Sequence, residues 1–138
     1  MSLIGLKNEA SVYRSKINEE KSRLEEYKEK ASKLDDLYEK LKVKKNQMKE
    51  LKKSLKSFSK KDYDYFEGNV FDYRYKSNIK ELVEHDYKTM IDIIDDNLDE
   101  INNKRTYYEN QIHESKGIIG NFISTLNSIQ RRIENWFI

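Results

Sequence analysis

The chain has 138 residues, 38% of them charged and 36% hydrophobic, with a net charge of +2. That length holds one domain, and the absence of cysteine excludes disulfides, thiolate zinc sites and cysteine nucleophiles. Low apolar content goes with disorder only where apolar residues lack a period and proline is common, and neither holds here.

The first arm carries an apolar ladder at Leu6, Ala10, Tyr13, Ile17, Leu24, Tyr27, Ala31, Leu34, Tyr38, Leu41, Met48 and Leu55, broken only by Glu20, Lys45 and Lys52. Alternating steps of three and four average 3.5 residues and keep a narrow seam facing a partner helix. The ladder predicts a helix over about 3–58, roughly 84 Å long. Near its end, Met48, Leu51, Leu55 and Phe58 are spaced 3-4-3, a phase slip that would move Lys52 off the seam in favour of Leu51.

A bend is expected over about 59–69. Gly68-Asn69 is the strongest turn signal, because both residues tolerate positive φ. Seven aromatics fall between Phe58 and Tyr75, enough for a small core that closes the hairpin tip. Aromatics also dominate binding hot spots, so Phe66, Gly68 and Phe71 are candidate partner contacts. Asn69 is placed to cap a helix starting at 70, and Asn78 with Glu81 offers a second start.

The second helix is expected over about 70–136. It passes through Ile79, Val83, Tyr87, Met90 and Ile94 into Leu98, Ile101, Tyr108, Ile112, Ile119, Phe122, Leu126, Ile129, Ile133 and Trp136, with Arg105 and Ser115 as polar rungs. Gly117 and Gly120 each cost about 1 kcal/mol against alanine inside a helix and mark a kink or a close backbone approach. The tail residues Trp136 and Phe137 form either the last seam layer or an exposed anchor.

The fold class is therefore all-α, a long antiparallel two-helix hairpin of coiled-coil type, forming one domain over residues 1–138. Its seam includes Ile17, Leu24, Leu34, Leu41, Ile101, Ile112, Leu126 and Ile133. Residues 1–61 hold 18 Lys/Arg against 10 Asp/Glu, and residues 62–138 hold 9 against 15. A basic arm and an acidic arm attract when antiparallel, although each exposed pair is worth only about 0–1 kcal/mol.

Chemistry has few candidates. His85 and His113 lie roughly eight helical turns apart and cannot share a metal. Asp92, Asp95, Asp96 and Asp99 share a helix face but lack the glycine turn of a calcium loop, and they read as a solvated acidic face. Residues 40–61 carry ten lysines and one glutamate, yet these spread around the helix and include no arginine to read base edges. No catalytic residue, cofactor, metal or specific nucleic-acid partner is expected. No window has the ~18 apolar residues of a membrane span, and the N-terminus lacks the apolar core of a secretory signal. A cytoplasmic chain is expected, exported only by a route without a cleaved signal.

A hairpin of two long helices with Phe66-Glu67-Gly68 at its bend resembles the WXG superfamily of type VII secretion, where the family has Trp-x-Gly. The length and the following Val70-Phe71 look most similar to its YwqH-like accessory proteins, encoded beside LXG toxins. The family's Tyr-x-x-x-Asp/Glu export signal is missing after the second helix, and its only Tyr match is Tyr63-Asp64-Tyr65-Phe66-Glu67 at the bend. The resemblance implies a non-enzymatic targeting chaperone that pairs with the N-terminal helical domain of an LXG-type toxin, or with another small helical protein. The alternative is a self-associating structural coiled coil, such as a homodimeric spacer or scaffold.

Overall fold

The computed structural model describes residues 2–59 and 77–137. Two long helices dominate it: α1 spans Leu3–Ser59 and α2 spans Tyr87–Trp136, the latter preceded by a helical stretch at 77–81 and a π-helical turn at Leu82–Asp86. Among the described residues there is no strand, so the chain is an all-α helical hairpin. The expected bend, with Phe66, Gly68, Phe71, the Tyr63–Glu67 spacing and the start of the second helix at 70, lies outside the described residues. Asn78 is the second residue of the helical stretch described from 77 on, and so lies within a helix.

The start of α1 is set by Ser2. Its Oγ accepts the Gly5 N–H at 3.0 Å and its carbonyl accepts the Leu6 N–H at 3.0 Å, satisfying donors that a helix start leaves orphaned. Lys56 in the last turn meets the negative end of the helix dipole.

The chain divides into two units, Met1–Leu34 with Lys104–Ile138 and Asp35–Asn103. In the first, Leu6, Ala10 and Ile129 are buried together, with Tyr13, Leu126 and Ile133 packed against them. Tyr13 meets Phe122 edge-on with ring centroids 5.9 Å apart, Ser115 bonds Glu20, and Tyr27 meets Tyr108 at 6.2 Å. Each step of seven residues along α1 is thus matched by a step of seven back along α2, which is the heptad register of an antiparallel pair. Gly117 and Gly120 do not break α2, and a Cβ built at either meets nothing within 4 Å. Among the described residues, they are not sites of close approach.

Among the described residues of the second unit, the buried apolar ones are Ile79, Val83, Ile91, Leu98 and Ile101, all from the second arm. Opposite them α1 supplies half-buried rungs, namely Tyr38, Leu41, Lys45, Met48, Lys52 and Leu55. The 3-4 ladder continues unshifted to Leu55: Lys52 stays on the seam and Leu51 is 53% exposed, so the expected phase slip does not occur. A lysine holds this place because its four-carbon stem covers apolar surface while the ammonium reaches water.

On the second arm the buried rung is Ile91, and Met90 is exposed. Ile79, Val83, Tyr87 and Ile91 are spaced four apart throughout, and in a regular α-helix that spacing turns steadily off the seam. The π-turn adds a residue to one turn and brings Val83 and Ile79 back to it.

Candidate partner-docking edges

Every residue beside the seam belongs to one of two edges. In a left-handed pair, the residue just before a seam position flanks one edge and the residue just after it flanks the other. Antiparallel helices are related by a two-fold rotation across their common plane, so "before" falls on the same edge for both arms, and "after" likewise.

Applied to the second unit, this rule separates two unlike surfaces. The preceding edge carries Leu37 and Leu51 from α1, and Leu82, Met90 and Ile93 from the second arm, each immediately before Tyr38, Lys52, Val83, Ile91 and Ile94. All five are exposed. Between them stand Lys40, Lys44, Gln47, Ser54, Asp86, Asn97 and Glu100.

Among the described residues, the following edge has no apolar residue. It carries Glu39, Lys42, Asn46, Lys49, Lys53 and Lys56 of α1, with Lys80, Glu84, Lys88, Asp92, Asp95, Asp99 and Asn102 of the second arm. Asp95 pairs with Lys45, so one member of the acidic cluster meets the lysine arm. Farther along this edge, Lys49, Lys52, Lys53, Lys56 and Lys88 line a groove of about 350 Å³ with Ile91 and Asp92. The lysines that look scattered along the sequence are in part gathered by the second arm.

The first unit has a mixed surface. Trp136 is 52% exposed and Phe137 71%, so the tail is an exposed pair one rung beyond Ile133. Of the expected seam residues, Ile17, Leu24 and Ile101 are buried, whereas Leu34, Leu41, Ile112, Leu126 and Ile133 are half-buried. Two helices cover only one face of each rung, which accounts for the residual exposure. The buried polar rung is Glu20, 6% exposed. It accepts the Ser115 hydroxyl at 2.8 Å and the Arg23 guanidinium at 3.2 Å. Arg105, the other expected polar rung of the second arm, is half-buried.

His85 and His113 are both exposed. Among the described residues, no three His, Asp or Glu side chains are grouped to hold a metal ion, and no helix is long and apolar enough to cross a membrane. Comparison with known protein families, with curated proteins and with solved structures finds no match for this chain.

The apolar edge was not recognised from the sequence. Leu37, Met90 and Ile93 show no ladder of their own, and they share an edge only once the register and the π-turn are known.

Proposed function

We propose that this chain is a non-enzymatic helical binding module whose apolar edge accepts an amphipathic helix of a partner protein. The observation that carries this reading is the contrast between the two edges of the second unit. Among the described residues, one holds five exposed apolar side chains and the other holds none. Solvation alone gives no reason for that asymmetry, because a two-helix hairpin in water is served equally by polar residues on both sides. A third helix laid along Leu37, Leu51, Leu82, Met90 and Ile93 converts a thin two-helix seam into a bundle core. Lys40 and Lys44 of α1 and Asp86 and Glu100 of the second arm stand on the same edge and favour an incoming helix with acidic residues beside the first arm and basic residues beside the second. The exposed Trp136 and Phe137 offer a second, separate contact.

The finer identity of the partner rests on the resemblance of Phe66-Glu67-Gly68 and the hairpin plan to the WXG superfamily. On that reading the partner is the N-terminal helical domain of an LXG-type toxin, and the pair is presented for type VII secretion. The test is the native mass of the chain alone and co-expressed with helical products of adjacent genes. A heterocomplex is expected, and Leu37→Glu with Met90→Glu abolishes it without loss of helicity. A homo-oligomer that ignores every neighbour overturns this reading in favour of a structural spacer.

A further inference from the structure

We propose that the π-turn at Leu82–Asp86 is one of two settings of the second arm, and that the change between them moves Met90 on and off the apolar edge. Six rungs serve both settings: Ile79, Val83, Tyr87, Ile94, Leu98 and Ile101. Tyr87 and Ile94 are seven residues apart and need one rung between them, and the chain offers two adjacent apolar residues for it. Ile91 takes the place here at 8% exposure, and Met90 is left at 50%.

Each choice fixes the backbone. With Ile91 the steps from Ile79 run 4-4-4-3-4-3, and three fours in succession overrun an α-helix unless one turn holds an extra residue. The Tyr87 N–H accordingly donates to the Leu82 carbonyl, five residues back, which is the π-turn. With Met90 the steps run 4-4-3-4-4-3, an eleven-residue period of about 3.67 residues per turn. An unbroken α-helix at about 3.6 follows that period closely, so no π-turn is required. The exchange turns the second arm through less than half of the roughly 100° between neighbouring residues. Met90 then enters the seam, and Ile91, one residue later, passes to the charged edge.

Three features bring the two settings close in free energy. A π-turn is a rare geometry, and the continuous helix is free of it. Methionine is unbranched and adapts to a rung or to a surface. The described α1 rungs opposite this stretch are half-buried and include Lys45 and Lys52, so they yield to a small rotation more readily than a close-packed wall. Against these, the ion pair of Lys45 with Asp95 favours the π-turn. Asp95 follows Ile94, and it swings away from α1 as Met90 turns in. The effect on partner binding rests on the docking role of Met90, whereas the switch itself belongs to the free chain.

The test is methyl relaxation dispersion on the full, free chain labelled at its methionine and isoleucine methyls. Exchange is expected at Met90 and Ile91 on the microsecond-to-millisecond scale, with a minor state of about 1–10%, and none at Ile119 and Ile129 of the other unit. Deleting His85 removes the extra residue of the π-turn and quenches the exchange with Met90 exposed. Asp95→Asn raises the minor population about twofold, the scale of one exposed ion pair. Ile91→Gln puts a polar residue where the π-turn setting needs burial, and drives the chain to the other setting with its helicity kept. Hydrogen peroxide then oxidises Met90 at least about fivefold more slowly than in the parent, because attack waits on the exposed population. Static methyls at Met90 and Ile91 overturn the switch, as does exchange that survives deletion of His85. So does an Ile91→Gln chain that unfolds or leaves Met90 as reactive as before. None of these measurements involves a partner, so failure of the docking role and failure of the switch are read separately.

Discussion

Ser115 donates its hydroxyl to Glu20 Oε1 at 2.8 Å across a seam that is otherwise mostly apolar on both arms. Both residues are buried, and the second carboxylate oxygen is held by Arg23 at 3.2 Å. A polar rung of this kind costs stability relative to a leucine pair, yet it penalises every register in which the two residues do not meet.

Replacing Ser115 with alanine removes that donor from a carboxylate that stays buried. The expected loss is about 1–3 kcal/mol in urea denaturation, the cost of an unsatisfied buried acceptor. Glu20→Leu combined with Ser115→Ala recovers most of it, because no charge is then left without its donor. A Ser115→Ala variant as stable as the parent would refute the contact's role.

Gly117→Ala and Gly120→Ala each stabilise the chain by about 1 kcal/mol. Both lie within an unbroken α2 and have open space where a Cβ would stand. A rise in thermal midpoint with each substitution checks this. If either substitution also prevents complex formation with a partner, that partner's backbone approaches at the glycine.

Deleting His85 shortens the step between Val83 and Tyr87 from four residues to three and restores the 3-4 ladder in a regular α-helix. The π-turn is then lost without moving Val83 or Ile79 off the seam, so the denaturation midpoint stays equal or rises. Deleting Glu109 in the regular part of α2 instead rotates buried rungs into water, and costs at least about 3 kcal/mol, the scale of an emptied core position. Circular dichroism during urea titration distinguishes the two.

Lys52→Leu places an apolar side chain on a half-buried rung and stabilises the hairpin by about 1 kcal/mol, part of the transfer energy of a fully buried leucine. Leu51→Lys, one residue away and exposed, changes stability by less than about 0.5 kcal/mol. The reverse order of the two effects would place Leu51 on the seam.

The ladder at Leu6, Ala10, Tyr13 and Ile17 and its counterpart at Phe122, Leu126 and Ile129 were legible because a coiled-coil seam is local. Each rung repeats the same spacing whatever lies across from it. Polar rungs at Glu20 and Ser115 were visible as breaks in that spacing, although their pairing was not. Near Leu51 and Met90 the sequence misled. Each is apolar and sits one residue before a true rung, Lys52 or Ile91, so period alone favoured the wrong neighbour.

By itself, the sequence determined that this protein is helical, that it has two arms, and which face of each arm turns inward except near Leu51 and Met90, since these follow from periodicity and from the absence of proline. Only the tertiary structure decided the register of one arm against the other, because register depends on cross-seam pairs such as Tyr13 with Phe122 and Glu20 with Ser115, far apart in the chain. The two unlike edges follow from that register. An exposed leucine or lysine has no local signature of its edge, and acquires one when the π-turn and the opposite arm fix which side of the seam it occupies.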